Sequence, residues 1–306
     1  MEKSSDERAK LLLSKWEEIR AAVEPRLDAI VSSLEMSGAK GLASYIVRGG
    51  KMFRGFITML FAEALSGDPM VAEDAAIAIE LVQGASLALD DIIDKDAQRR
   101  DKPAAWVLYG VGQSAMISLL LVPVALKMIE KYGLQALSYS IMAWESMVRG
   151  EIMDAYLAPN LSPADYMLLA SLKTGSLFSL SASLGVIAAG HEELAESAWK
   201  YGNVVGTSYQ LADDIADFTN YVKGLKPKLD PSEELFIKWA EDSLNAHGDK
   251  EIIDRGIAYL KDFLRKSVDV SFLPPNPASK LLAEVPWFIS RKMLSSAGLD
   301  AELEEL

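Results

Sequence analysis

The chain has 306 residues, half of them hydrophobic, with a formal net charge of −13, no cysteine and two histidines. That composition is enough for a large buried core, and it excludes disulfides, thiolate metal sites, a cysteine nucleophile and a multi-histidine zinc centre. An acidic balance of this size offers no general field for nucleic acid, so any phosphate site must be local.

In chain order, the start MEKSSDERAK is charged and lacks the apolar core of a signal peptide. Residues 10–34 read as an amphipathic helix, with Leu12, Trp16, Ile19, Val23 and Leu27 spaced by threes and fours and Pro25 as a point of bending. Helical patterns follow at 53–64, 71–94, 112–132, 134–156, 163–189, 194–221 and 233–245. Ser162 before Pro163 and Ser232 before two glutamates are expected helix caps. The apolar run 115–126 is too short to span a bilayer and contains Pro123, so it reads as a core helix. Residues 75–89 and 177–189 are apolar nearly all round, as helices in the middle of a helical protein are. Alternating strand patterns with Asn-Gly or Asp-Gly turns are absent, and no stretch is long enough to be a clear linker. The expectation is one all-α domain over 1–306, soluble, cytoplasmic and without stable membrane insertion.

The residues 87–100, LALDDIIDKDAQRR, place Asp90, Asp91 and Asp94 inside an apolar pattern. Asp90 and Asp94 share one helix face, and Asp91 points roughly 100° away. The arrangement recurs in YQLADDIADF as Asp213, Asp214 and Asp217. With 21 aspartates in the chain, chance supplies such a DDxxD pattern about 0.1 times, so two copies are not background. A solvated acidic helix end would not have Leu, Ile and Ala crowding both sides. Carboxylates in such a setting call for hard divalent cations, and Mg²⁺ completes its shell with water and substrate phosphate. Arg99, Arg100 and Lys102 add phosphate donors, as do Lys51 and Arg54 in GGKMFRG at a loop-to-helix boundary. Lys173-Thr174 interrupts a long apolar helix, where an unpaired ammonium would be costly. Together these groups describe a cavity for diphosphates.

The same residues, in order, resemble the trans-isoprenyl diphosphate synthases (the polyprenyl synthetase family). GGKMFRG resembles GGKRLRP, DDIIDKDAQRRDKP resembles DDxxDxxxxRRGKP, and Gly150–Asp154 resembles GQxxD. KTGSLF at 173–178 resembles KTASLF, and 209–217 resembles FQxxDDxxD. The resemblance implies an all-α bundle of the isoprenoid synthase type with a central cavity, usually a homodimer. It implies that Mg²⁺, three ions per site, helps an allylic diphosphate lose its diphosphate before isopentenyl diphosphate attacks C1. Carried over by position, Asp90, Asp94 and Asp213 would be the principal ligands, with Asp91, Asp214 and Asp217 supporting them directly or through water. Arg99, Lys173, Thr174 and Gln210 would hold the allylic diphosphate; Lys51, Arg54 and Arg100 would hold isopentenyl diphosphate. Lys223 or Lys226 would close over the allylic diphosphate.

The departures cluster on the isopentenyl side. Met52 stands at a usual arginine, Gln83 at a common histidine, Gly55 at a proline and Asp101 at a glycine, and the loop after Asp217 is shortened to YVKGLKPKLDP. Small residues at Ala85 and Ser86, where bulky ones stop growth in the family, imply a product of about C20 or longer. A class I terpene cyclase on the same scaffold and a partner subunit of a heteromeric synthase are the alternatives. His191 and His247 receive no role.

Overall fold

The computed structural model describes residues 5–34, 39–157 and 160–303. Thirteen α-helices are described: α1 (Ser5–Ser32), α2 (Ala39–Val47), α3 (Phe53–Ser66), α4 (Glu73–Ile93), α5 (Ala105–Tyr109), α6 (Val111–Ile129), α7 (Gly133–Ile152), α8 (Tyr166–Ala170), α9 (Ser176–Ala188), α10 (Ala195–Val222), α11 (Pro231–Ser243), α12 (Asp249–Ser267) and α13 (Pro277–Leu294). The expected all-helical class is observed. One small exception is an antiparallel pair, β1 (Gln98–Arg99) and β2 (Lys102–Pro103), between α4 and α5. Its turn residues Arg100 and Asp101 have φ of 56° and 59°, the left-handed pair of a tight two-residue hairpin. Neither is glycine, so the hairpin carries no Asn-Gly or Asp-Gly signal.

The chain divides into two compact units. One comprises Leu13–Ile141 with Leu180–Ala195; the other comprises residues up to Leu12, Met142–Ser179 and Glu196 onward. In the first, α4 packs against α2, α3 and α6, and Ala75–Leu81 are buried on every side, as a helix apolar all round requires. In the second, Tyr166, Phe218, Phe236, Trp239, Leu260, Leu264 and Trp287 belong to one buried cluster. The Tyr166 ring lies 5.6 Å from Phe236 and 5.0 Å from Trp239.

Several boundaries differ from the expected ones. α1 runs on through Pro25. The cap of α11 is Asp230 rather than Ser232: Pro231 takes the first helical position, and Glu233 bonds back to the Asp230 N–H at 2.9 Å. Ser162 does pair with Asp165 ahead of α8, through a short 3₁₀ turn. Two stretches adopt π-helical turns, Met153–Leu157 and Ser171–Gly175. By length and composition alone, 111–157 and 163–188 are apolar enough to cross a membrane, but most of the second is buried within the protein.

Candidate active site

The first aspartate motif sits at the carboxyl end of α4, where the helix dipole disfavours negative charge. The helix stops because Lys95 turns left-handed, at φ 60°, and the Asp96 N–H returns to the Asp91 carbonyl at 2.9 Å, a Schellman ending. The hairpin then brings Arg99 back. Its Nε donates to Asp91 Oδ1 at 2.6 Å, and its Nη2 contacts Asp91 and reaches Asp90 Oδ2 at 3.3 Å. Asp91 is 3% exposed, whereas Asp90 and Asp94 on the neighbouring face are half-buried. Burial pushes the Asp91 carboxyl up, and Arg99 opposes that shift. The hairpin is pinned by Trp106 Nε1 to the Asp96 carbonyl at 2.7 Å and by Tyr45 Oη to the Pro103 carbonyl at 2.6 Å.

The GGKMFRG segment lies in the same unit. Arg100 donates to the Arg48 carbonyl at 2.6 Å and passes over Gly50, where a Cβ would stand 3.4 Å from its Nη2. Lys51 is exposed, Met52 is left-handed at φ 53°, and Arg54 opens α3. Sequence reasoning missed Glu80, which is 7% exposed and accepts the Gly55 N–H at 2.8 Å. Burial raises its carboxyl, while Gly55, Arg54 and Arg100 lower it. The signal was present as a lone acid inside AAIAIELV. It also explains Gly55, since proline there would have no N–H to give. Gln83 is half-buried on α4, two turns ahead of Asp90.

The second motif lies on α10, in the other unit. Asp213 and Asp217 share one half-buried face; Asp214 is turned inward and 2% exposed. Tyr166 Oη donates to Asp214 Oδ2 at 2.6 Å and Gln210 Nε2 to Oδ1 at 3.0 Å. Burial raises the Asp214 carboxyl to about 7, against the pull of those two donors. Gln210 in turn accepts from Thr174 Oγ1 at 2.5 Å. Lys173 and Thr174 are presented by the π-helical turn 171–175, a distortion frequent at functional sites. The backbone of Lys173 lies so close to α7 that a Cβ on Gly150 would stand 2.3 Å from its N. Lys173 Nζ meets Asp154 Oδ2 at 2.5 Å and Glu151 Oε2 at 3.2 Å. Asp154 occupies the other π-helical turn. The structure thus brings Lys173, Thr174 and Gln210 together, and adds Tyr166, Glu151 and Asp154, to which sequence reasoning gave no role.

Lys223 and Lys226 separate. Lys223 Nζ donates to the Ala297 carbonyl at 2.7 Å, whereas Lys226 reaches Asp217 Oδ2 at 2.9 Å, Asp230 Oδ2 at 3.2 Å and Glu233. His191 pairs with Glu193 on the surface. Among the described residues, no three carboxylate or imidazole groups converge into a ready-made metal site. Each motif by itself, Asp90 with Asp94 on α4 and Asp213 with Asp217 on α10, offers half-buried carboxylate oxygens of the kind a hard cation takes alongside water and substrate.

Comparison with known proteins agrees with this geometry. Residues 38–230 match the family model described as polyprenyl synthetase. The chain is 34% identical over 290 residues to the hexaprenyl pyrophosphate synthase of Saccharolobus solfataricus, covering 93% of this chain and 97% of that protein. It is 33% identical to the geranylfarnesyl diphosphate synthase of Methanosarcina mazei, over 71% of this chain and 74% of that one. A crystal structure of a geranyltranstransferase from Methanosarcina mazei superposes with a TM-score of 0.74 at 28% identity, covering 91% of this chain and 98% of that chain.

Proposed function

Because the chain belongs to the polyprenyl synthetase family and is a trans-prenyltransferase, making longer prenyl diphosphates, we propose that it adds isopentenyl diphosphate to an allylic diphosphate. The products are an all-trans prenyl diphosphate of C20 or longer and free diphosphate. One observation carries this reading: both aspartate motifs are built alike, with a half-buried i, i+4 pair beside an inward carboxylate that a protein group already holds.

Asp90, Asp94, Asp213 and Asp217 would hold Mg²⁺, which when bound supplies Lewis-acid stabilisation to a departing diphosphate. Asp91 and Asp214 would fix the backbone and rotamers of those ligands. Lys173, Thr174, Gln210 and Arg99 would position the allylic diphosphate, with Lys226 rather than Lys223 as the closing ammonium. Lys51, Arg54, Gln83 and Arg100 would hold isopentenyl diphosphate, with Gln83 as a neutral donor. The allylic C1–O bond breaks, the double bond of isopentenyl diphosphate attacks C1, and a proton leaves to the released diphosphate.

Ser86, small and half-buried one turn ahead of Asp90, supports a long product. The relatives' names, hexaprenyl and geranylfarnesyl synthase, favour the same direction. Exposed apolar residues on α6 (Met116, Leu119) and α7 (Leu134, Ile141) support a homodimer through those helices. We take the chain to work in the cytoplasm as one catalytic domain over 1–306. The test is a product assay with Mg²⁺ and each allylic diphosphate from C5 to C20, with and without isopentenyl diphosphate. Products of C20 or longer that require isopentenyl diphosphate are expected, and Ser86→Phe is expected to shorten them. Hydrocarbon or alcohol from the allylic substrate alone would replace this reading with a cyclase.

A further inference from the structure

The π-helical turn 171–175, which carries Lys173 and Thr174, packs against α10 within one compact unit. Asn203, Gly206 and Gln210 stand on one face of α10, at the i, i+3 and i+7 positions. Gly206 lets the backbones approach: a Cβ there would stand 2.6 Å from Gly175 Cα and 2.9 Å from the Thr174 carbonyl oxygen. Gln210 accepts from Thr174 Oγ1 near the end of the turn. Asn203 meets its beginning. Its Nδ2 donates to Ser171 Oγ at 2.9 Å and to the Ser171 carbonyl at 3.4 Å, and Ser171 Oγ donates to Asn203 Oδ1 at 3.1 Å.

We propose that Asn203 is a positioning residue for the allylic diphosphate: it holds the turn that presents Lys173 and Thr174, and Gly175 leaves it the room to do so. A lone π-helical turn interrupts the regular ladder of its helix, and the buried backbone groups it leaves over need partners from outside that ladder. The Leu172 carbonyl takes Ser176 Oγ at 2.7 Å, from the same stretch of chain; Asn203 comes from another helix and so fixes the turn in space. Gly175 is helical, so what its missing side chain supplies is space rather than backbone freedom. A Cβ at 175 would stand 2.7 Å from Asn203 Nδ2 and 3.3 Å from Thr207 Oγ1. The amide of Asn203 therefore occupies the place that a side chain at 175 would claim. Asn203 acts through the turn and not on the diphosphate itself, and the proposal rests on the allylic role given to Lys173 and Thr174 above.

The experiment joins steady-state kinetics to hydrogen exchange of the metal-free full-length protein, read by mass spectrometry over 171–176. Asn203→Ala removes the amide, and Gly175→Ala pushes it out of its contact. Each is expected to speed exchange of that segment about tenfold while α12 stays unchanged. Each should also raise KM for the allylic diphosphate about fivefold, with kcat and the isopentenyl diphosphate KM within about twofold of wild type. In the double variant the new Cβ has no amide to displace, so the two effects should not add. Tyr201→Phe is the comparison. It deletes a buried bond of the same helix, from Tyr201 Oη to the Leu282 carbonyl at 2.6 Å, and should lower Tm without moving either KM. Unchanged exchange in Asn203→Ala, or additive effects in the double variant, overturns the proposal. An equal rise of the allylic KM in Tyr201→Phe overturns it too, because any loosening of α10 would then suffice. Faster exchange with an unmoved allylic KM would instead remove Lys173 and Thr174 from the allylic site and leave Asn203 as the support of their turn.

Discussion

Asp91 and Asp214 occupy the same place in their two motifs, yet one is held by a permanent cation and the other by neutral donors. Arg99 meets Asp91 Oδ1 with both Nε and Nη2, so the charge of Asp91 is compensated whether or not a metal is near. Tyr166 and Gln210 give Asp214 hydrogen bonds without charge, and burial lifts its carboxyl to about 7. In the second motif the counter-charge sits instead on the outer face, where Lys226 reaches Asp217. The lesson is that identical DDxxD spacing does not impose identical electrostatics. The first motif is neutralised from within, and the second from its rim.

The largest effects should separate outer from inner carboxylates. Asp90→Asn and Asp213→Asn are each expected to lower kcat/KM by about 10³ with the fold intact, the scale of a lost electrostatic stabiliser. Asp91→Asn and Asp214→Asn, proposed to support the ligands rather than to bind metal, should cost about 10- to 100-fold. If all four fall equally in steady-state assays, the inner-outer distinction is wrong. Next comes stability, measured by urea unfolding without metal. Arg99→Ala strands a buried carboxylate and should cost about 2–3 kcal/mol, below the full buried-pair penalty because Arg99 is one-third exposed. Tyr166→Phe removes one neutral hydrogen bond and should cost about 1 kcal/mol. The reverse order would mean that Asp214, not Asp91, depends more on its partner.

How much of this was legible depends on which residues carried their own signal. The all-α class followed from long apolar periodicities such as 71–94, and the two motifs from aspartates set among Leu, Ile and Ala. The helices α12 and α13 went unassigned although the signal was present: Ile252, Ile257, Leu260 and Leu264 recur at helical spacing and form the buried face of α12. The hairpin was invisible because its left-handed turn residues, Arg100 and Asp101, carry no glycine signal. Inner-acid partners were only half legible. Arg99 was recognisable as a cation near Asp91, but Tyr166 lies 48 residues from Asp214 and looks like any core aromatic. Lys226 was named beside Lys223, and only the fold of the shortened loop distinguishes them.

The pH dependence of stability sharpens the same contrast. The Asp214 carboxyl is raised from 3.8 to about 7 on folding. Between those values the folded state holds a proton that the unfolded state has released. Its contribution is therefore fully present below about pH 4 and is lost as pH rises to about 7. Metal-free unfolding of Asp214→Asn should lack this falling component, whereas Asp91→Ala should leave it in place. A wild-type profile identical to that of Asp214→Asn would show that Tyr166 and Gln210 keep Asp214 ionised, as Arg99 does for Asp91.

The smallest predicted effect concerns Lys173, in the second unit, which bears two carboxylates at once. Lys173 lies between Asp154 and Glu151, where the resembling family has a glutamine in place of Glu151. The closer partner, Asp154, sets the direction of the ammonium; Glu151 mainly dilutes its charge. Glu151→Gln keeps the shape and removes that dilution, so KM for the allylic diphosphate should fall about threefold, worth under about 1 kcal/mol for a partly exposed pair. Asp154→Asn should act the other way, raising KM because Lys173 loses its orientation. The KM for isopentenyl diphosphate should not move in either variant. An equal change in both KM values would place Lys173 outside the allylic site and return the second motif to a purely structural comparison with the first.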